Sequence, residues 1–178
     1  MLSCSERYSP KPRGYIRVDL APKKDKLFAP QNCPFNFTTS NYFELIYKNT
    51  CWIDLEYAKH NATIHMTYKK IDNDLFKLLE DSRNMVYKHT VKADAISEKI
   101  YHNNLNQTHG TLYDIEGETA SSVQFHITDS INNFIRGALY FQVNINKDSL
   151  SPIINYLRDD ILKIMESLRW ENETFLKE

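Results

Sequence analysis

Glycine is scarce in this chain. Only Gly14, Gly110, Gly117 and Gly137 occur in 178 residues. That excludes a Gly-rich phosphate loop, a dinucleotide-binding fingerprint and a linker-rich chain. Long apolar runs are missing too. A membrane helix needs about 20 consecutive apolar residues, and stretches such as Ala138–Phe141 are interrupted within a few. Neither sign of charge dominates: 22 Lys and Arg face 23 Asp and Glu, a net of −1. No global field therefore marks a nucleic-acid partner. Cysteine is rare and odd in number, at Cys4, Cys33 and Cys51, so at least one has no partner within the chain.

What is present suits one globular domain. The chain is 42% hydrophobic and 25% charged, ordinary proportions for such a domain. A chain of this length buries roughly 70% of its unfolded surface and needs no metal or disulfide to build a core.

The ends differ from the middle. Residues 1–30 hold seven basic and three acidic side chains and four of the six prolines. Proline removes backbone donors and breaks regular structure, so residues 1–38 read as an extended basic arm. Leu2-Ser3-Cys4 looks like the end of a bacterial lipoprotein cleavage box. No charged leader or apolar segment stands ahead of it. On that reading the signal has been removed or the start is misplaced.

Residues 39–171 read as a single domain, and 172–178 as a polar tail. Tyr42–Tyr47, Cys51–Tyr57 and Ala62–Lys69 alternate apolar and polar residues with period two, the mark of half-buried strands. Leu75, Leu78, Leu79, Ser82, Met85, Val86 and His89 then recur at helical spacing. Asp72 or Asn73 is placed to cap that helix. Strands return at Ile96–Asn103, Thr111–Glu116, Val123–Thr128 and Gly137–Val143, with Gly110 and Gly117 read as turns and Asp129–Phe134 as a crossover or loop. A final helix runs from about Ser149 or Ser151 to Trp170, with Pro152 in its first turn. Short connections make the sheet mostly antiparallel, and two amphipathic helices must cover it. The fold class is α+β.

Chemical motifs are weak. None of the six histidines sits in a His-Glu-x-x-His pattern, and no Gly-x-Ser-x-Gly elbow marks a serine nucleophile. His65 and His126 lie on polar strand faces and could meet at a metal if their strands were neighbours. Cys51 with His65 or His89 would make a thiol–base pair, though a buried thiol beside Trp52 is the simpler reading. The carboxylates of Glu80-Asp81-Ser82-Arg83 point about 100° apart on a helix and do not share one site. Asn-x-Ser/Thr triplets fall at Asn36, Asn61, Asn106 and Asn172.

Blocks spread over nearly the whole chain carry a resemblance. They are Tyr8–Asp19, Cys51-Trp52, Leu79–Ile96, Leu112–Ile115, Ala120–Phe125, Thr128–Ser130, Arg136–Phe141, Lys147–Leu150 and Glu166–Trp170. In these the chain closely resembles the gliding-motility lipoprotein family GldD of Bacteroidetes. The resemblance implies a non-catalytic lipoprotein of the cell envelope, its soluble domain in the periplasm. It implies that such a protein works with other gliding and type IX secretion proteins and carries no cofactor. Cys4 falls where the family's lipidated cysteine would be. That leaves Cys33 and Cys51 as an even pair able to oxidise in a periplasm, with a bond between them left open. The strand and helix order also looks like the PsbP/Mog1-like α/β/α sandwich, and a periplasmic ligand- or metal-binding module of that fold is the alternative reading. Candidate partner surfaces are Arg13, Gly14 and Tyr15 on the arm, and Glu80, Asp81, Arg83, Lys88 and His89 on the first helix.

Overall fold

The computed structural model describes residues 20–88, 92–142 and 147–171. Cys4, Arg13, Gly14, Tyr15 and His89 lie outside the described residues.

The strands are β1 (Asp25–Phe28), β2 (Phe35–Ser40), β3 (Glu44–Asn49), β4 (Trp52–Tyr57) and β5 (Ala62–Lys70). Helix α1 (Leu75–Tyr87) follows, then β6 (Ala93–Asn103), β7 (Thr108–Gly117), β8 (Ser121–Thr128) and β9 (Asn133–Phe141). Helix α2 (Lys147–Ser167) and a short β10 (Arg169–Trp170) complete the chain. Seven strands form one antiparallel sheet in the order β3-β4-β5-β9-β8-β7-β6. Strands β1, β2 and β10 form a second, small sheet.

Alternation sorts the large sheet into two faces. Ile53, Leu55, Ile64, Met66, Leu112, Val123, Phe125, Ile127, Ile135 and Leu139 share one face and are fully buried. They pack against Leu157, Ile161, Ile164, Met165 and Leu168 of α2 and against Phe35 and Phe37 of β2. On the opposite face Tyr113 and Ile115 pack against Val86 of α1. The result is an α/β/α sandwich with α2 and the small sheet on one side and α1 on the other.

Gly137 in β9 makes the first core possible. A Cβ there would stand 2.2 Å from the Phe125 ring. Gly110 is not a turn residue, contrary to expectation. It lies within β7, where a Cβ would sit 2.4 Å from the His126 carbonyl oxygen. Gly117 does end a strand, at φ +110°.

The expected arm of residues 1–38 is too long. Residues 25–28 and 35–40 are strands. Phe35 stacks on Phe37 at 6.3 Å and meets Trp170 edge-on at 6.5 Å. Pro30, one of the four prolines that suggested an arm, sits with Pro34 in the connection between the two strands, where no ladder donor is needed. The last helix ends at Ser167, before the expected Trp170, because Arg169–Trp170 turns to pair with Asn36–Phe35. The cap of α1 is Asp74 in place of Asp72 or Asn73.

A chain beginning at residue 20 is expected to unfold cooperatively in denaturant, and one beginning at residue 41 to lack a cooperative transition. The second loses two fully buried phenylalanines, each worth about 3–5 kcal/mol, from a total stability of about 5–15 kcal/mol. Circular dichroism through a urea series decides.

Candidate functional site

Sheet and helix meet at a fully buried carboxylate, Asp160 of α2. Ser40 Oγ donates to Asp160 Oδ2 at 2.7 Å, and the Tyr57 hydroxyl donates to the same oxygen at 3.0 Å. The Lys23 ammonium stands 2.8 Å from Oδ1. Burial, and then the Asp160 charge, push the Tyr57 hydroxyl well above its ordinary pKa, so Tyr57 stays a donor.

Lys23 does more than neutralise Asp160. Its ammonium also donates to the Tyr156 carbonyl and lies 4.3 Å from the centre of the Tyr156 ring. The Tyr156 hydroxyl donates to the Ala21 carbonyl at 2.9 Å. Asp25 pairs with Lys163. Residues 21, 23 and 25 thus meet residues 156, 160 and 163 in turn, and the entering segment runs parallel to α2. No sequence motif signals this latch, because its partners are separated by more than 100 positions.

Cys33 and Cys51 are joined in a disulfide, with Cα atoms 5.2 Å apart. It ties the start of β2 to the β3–β4 turn, where Cys51 holds a positive φ of 58°. Cys51 therefore has no thiol to pair with a histidine. His65 and His126 do not meet either, because β9 lies between their strands. His65 Nδ1 contacts Asp54 Oδ1 at 2.6 Å. His126 is buried and stacks on Phe134 with ring centres 5.7 Å apart. Burial drops its pKa to about 4, so it is neutral.

On α1, Glu80, Asp81, Arg83 and Lys88 are all exposed. Arg83 reaches Glu98 of β6 at 3.7 Å, and the Tyr87 hydroxyl donates to Glu98 at 2.7 Å. This corner binds α1 to the sheet edge. Among the described residues, no helix is long and apolar enough to cross a membrane.

The family described as gliding motility lipoprotein GldD matches residues 5–170. The chain belongs to the GldD lipoprotein family. Membership makes it a membrane-anchored envelope protein involved in gliding motility. The solution structure of cyanobacterial PsbP (CyanoP) from Synechocystis sp. PCC 6803 superposes with a TM-score of 0.51 at 8% identity. The superposition covers 86% of this chain and 96% of that one. The GldD-family domain therefore has a PsbP-like fold, and at that identity the likeness extends to fold alone. No curated protein matches the chain by sequence.

Two measurements test this GldD-family domain. Lys23→Ala strips a fully buried carboxylate of its cation. It should cost about 3 kcal/mol in denaturant unfolding, the low end for a broken buried pair because Lys23 keeps some solvent contact. His126 gives the pH test. Its folded pKa of about 4 lies below the ordinary 6.5. Between those values the unfolded chain binds a proton that the folded chain refuses, so stability is full above about pH 6.5 and falls toward pH 4. The loss is about 3 kcal/mol. His126→Phe, which keeps the stack on Phe134, should flatten that part of the pH–stability curve. An unchanged curve refutes the assignment.

Proposed function

We propose that this protein is a lipid-anchored accessory subunit that binds other envelope proteins of the gliding motility and type IX secretion machinery, with its domain in the periplasm. The observation that carries the reading is a crown of exposed apolar side chains at one end of the large sheet. Leu105 in the β6–β7 turn is 96% exposed, Phe76 at the start of α1 81% and Ile131 in the β8–β9 turn 72%. Register puts all three connections at the same end, since Asn103 pairs with Thr108, Thr128 with Phe134 and Lys70 with Asn133. Large apolar groups displayed together on separate connections suit a protein partner.

The latch supports an orientation. The C-terminal end of α2 is pinned to the crown, because Asn103 Nδ2 donates to the Glu166 carbonyl at 3.1 Å. The segment from Ala21 to Asp25 runs parallel to α2 and enters from the end of the helix opposite the crown. With Cys4 lipidated, the 16 residues from Ser5 to Leu20 reach at most about 55 Å. The latch at Lys23 then keeps the folded domain within that range of the bilayer. The basic residues of the arm add a second attachment signal beside the acyl chain. The Cys33–Cys51 disulfide suits an oxidising periplasm.

The reading makes two measurable claims. The precursor carrying an export signal should fractionate with membranes, and Cys4→Ala should release it to the soluble fraction. Tagged protein should recover motility or secretion components from envelope extracts, and the triple change Phe76→Ser, Leu105→Ser, Ile131→Ser should abolish that recovery without lowering Tm. Equal recovery by the triple variant removes the crown from the interface. Recovery of no such component by the wild type defeats the accessory reading.

A further inference from the structure

His65 and His126, which could meet at a metal only on neighbouring strands, are kept apart by β9. Another pair is brought together. His102 on β6 and His109 on β7 are directly opposite each other in the antiparallel register. Their Nδ1 atoms point at one another across 3.0 Å, with ring planes at 65°. We propose that these two histidines form a binding site for a first-row transition-metal dication of the zinc and copper class.

The separation of the two nitrogens is close to that of a chelate. Metal–imidazole bonds of roughly 2.0–2.1 Å at a tetrahedral angle put the two nitrogens about 3.3 Å apart. A few tenths of an ångström of opening reaches that span, and a turn of roughly 35° in each ring brings both lone pairs onto a shared ion. Imidazole is the ligand these cations prefer among neutral side chains. Both rings are accessible to solvent, so a cation can enter.

The backbone holds the pair in place before any metal arrives. Asn103 Oδ1 accepts the N–H groups of Leu105 at 3.0 Å and of Asn106 at 3.2 Å, closing the turn. The amides of Asn103 and Asn106 both donate to the Glu166 carbonyl, at 3.1 and 3.5 Å. The hairpin tip is thereby fastened to the end of α2, and ligand register is set by the fold. Among the described residues, no third His, Cys, Asp or Glu joins the pair in a cluster. Water completes the coordination, and the bound ion keeps open positions for a further ligand.

The proposal is independent of the accessory reading. Full-length protein is titrated with zinc chloride in chelator-free buffer, and histidine ring resonances are followed by NMR. One equivalent should shift or broaden the signals of His102 and His109 ahead of His60 and His65. His102→Gln or His109→Gln should each weaken zinc binding about tenfold or more, since a single imidazole remains. Lowering the pH should release the ion as protons compete for the ring nitrogens. If zinc leaves both wild-type signals unmoved, or both variants bind it as well as wild type, the contact is a simple imidazole hydrogen bond and the proposal fails. The NMR readout uses unaltered protein and so stands even where a variant folds poorly.

Discussion

The carboxylate of Asp160 is the constraint on which the assembly rests. It has no solvent contact. An isolated buried carboxylate costs several kcal/mol even after relaxation, so its partners must be in place for the domain to close. They come from three parts of the chain, and Asp160 itself from a fourth. Ser40 ends β2, Tyr57 ends β4, Lys23 precedes β1 and Asp160 itself is mid-α2. One oxygen pair therefore ties the small sheet, the large sheet, the entering segment and the long helix to a single arrangement. A purely apolar contact here would tolerate sliding of α2 along the sheet. A buried charge with directional donors does not, because displacement by one residue leaves it unpaired.

The same demand explains polar residues that look misplaced in the core. Thr39 and Ser40 are fully buried at the end of a strand that starts with two phenylalanines. The Thr39 hydroxyl donates to the Asp160 carbonyl and the Ser40 hydroxyl to the Asp160 carboxylate. About two turns further along α2, Ser167 Oγ donates to the Lys163 carbonyl at 2.6 Å and accepts the N–H of Thr38 at 2.8 Å. Strand β2 is thus hydrogen-bonded to the helix along one side. That is why it joins α2 and two short strands and stays out of the seven-stranded sheet.

How much of this was legible depends on the range of the interactions. Strands β4 and β5 were readable because apolar residues alternate toward the α2 side of the sheet, as in Ile53, Leu55 and Tyr57, and β8 was readable because its polar residues alternate with Val123, Phe125 and Ile127 although both of its faces are buried. Both helices were readable from their apolar stripes. The PsbP-like sandwich followed from element order and is supported by the superposition. Strand β2 was missed although Phe35 and Phe37 alternate, because four prolines nearby argued for an arm. Proline excludes a ladder donor only at its own position, and Pro34 stands just before the strand. The latch was out of reach, since Lys23 and Asp160 are ordinary surface residue types joined only by tertiary structure. Likewise the histidine pair that meets is His102 and His109, chosen by the hairpin register. His65 and His126 shared a polar pattern but are separated by β9.

The likeness to a cyanobacterial PsbP covers most of both chains at 8% identity. At that distance the likeness specifies how a sheet and two helices pack and does not carry function. Two features stand out at opposite ends of this domain. One is the entering segment clamped along α2, with a cation, an aromatic ring and a buried carboxylate in line. The other is the hairpin end, with exposed apolar side chains beside a histidine pair. The clamp is first a folding element, since Lys23 is the cation beside the buried Asp160 carboxylate. Its place on the N-terminal side of the domain also suits the proposed attachment through Cys4, because the first described residues of the chain are already held against α2.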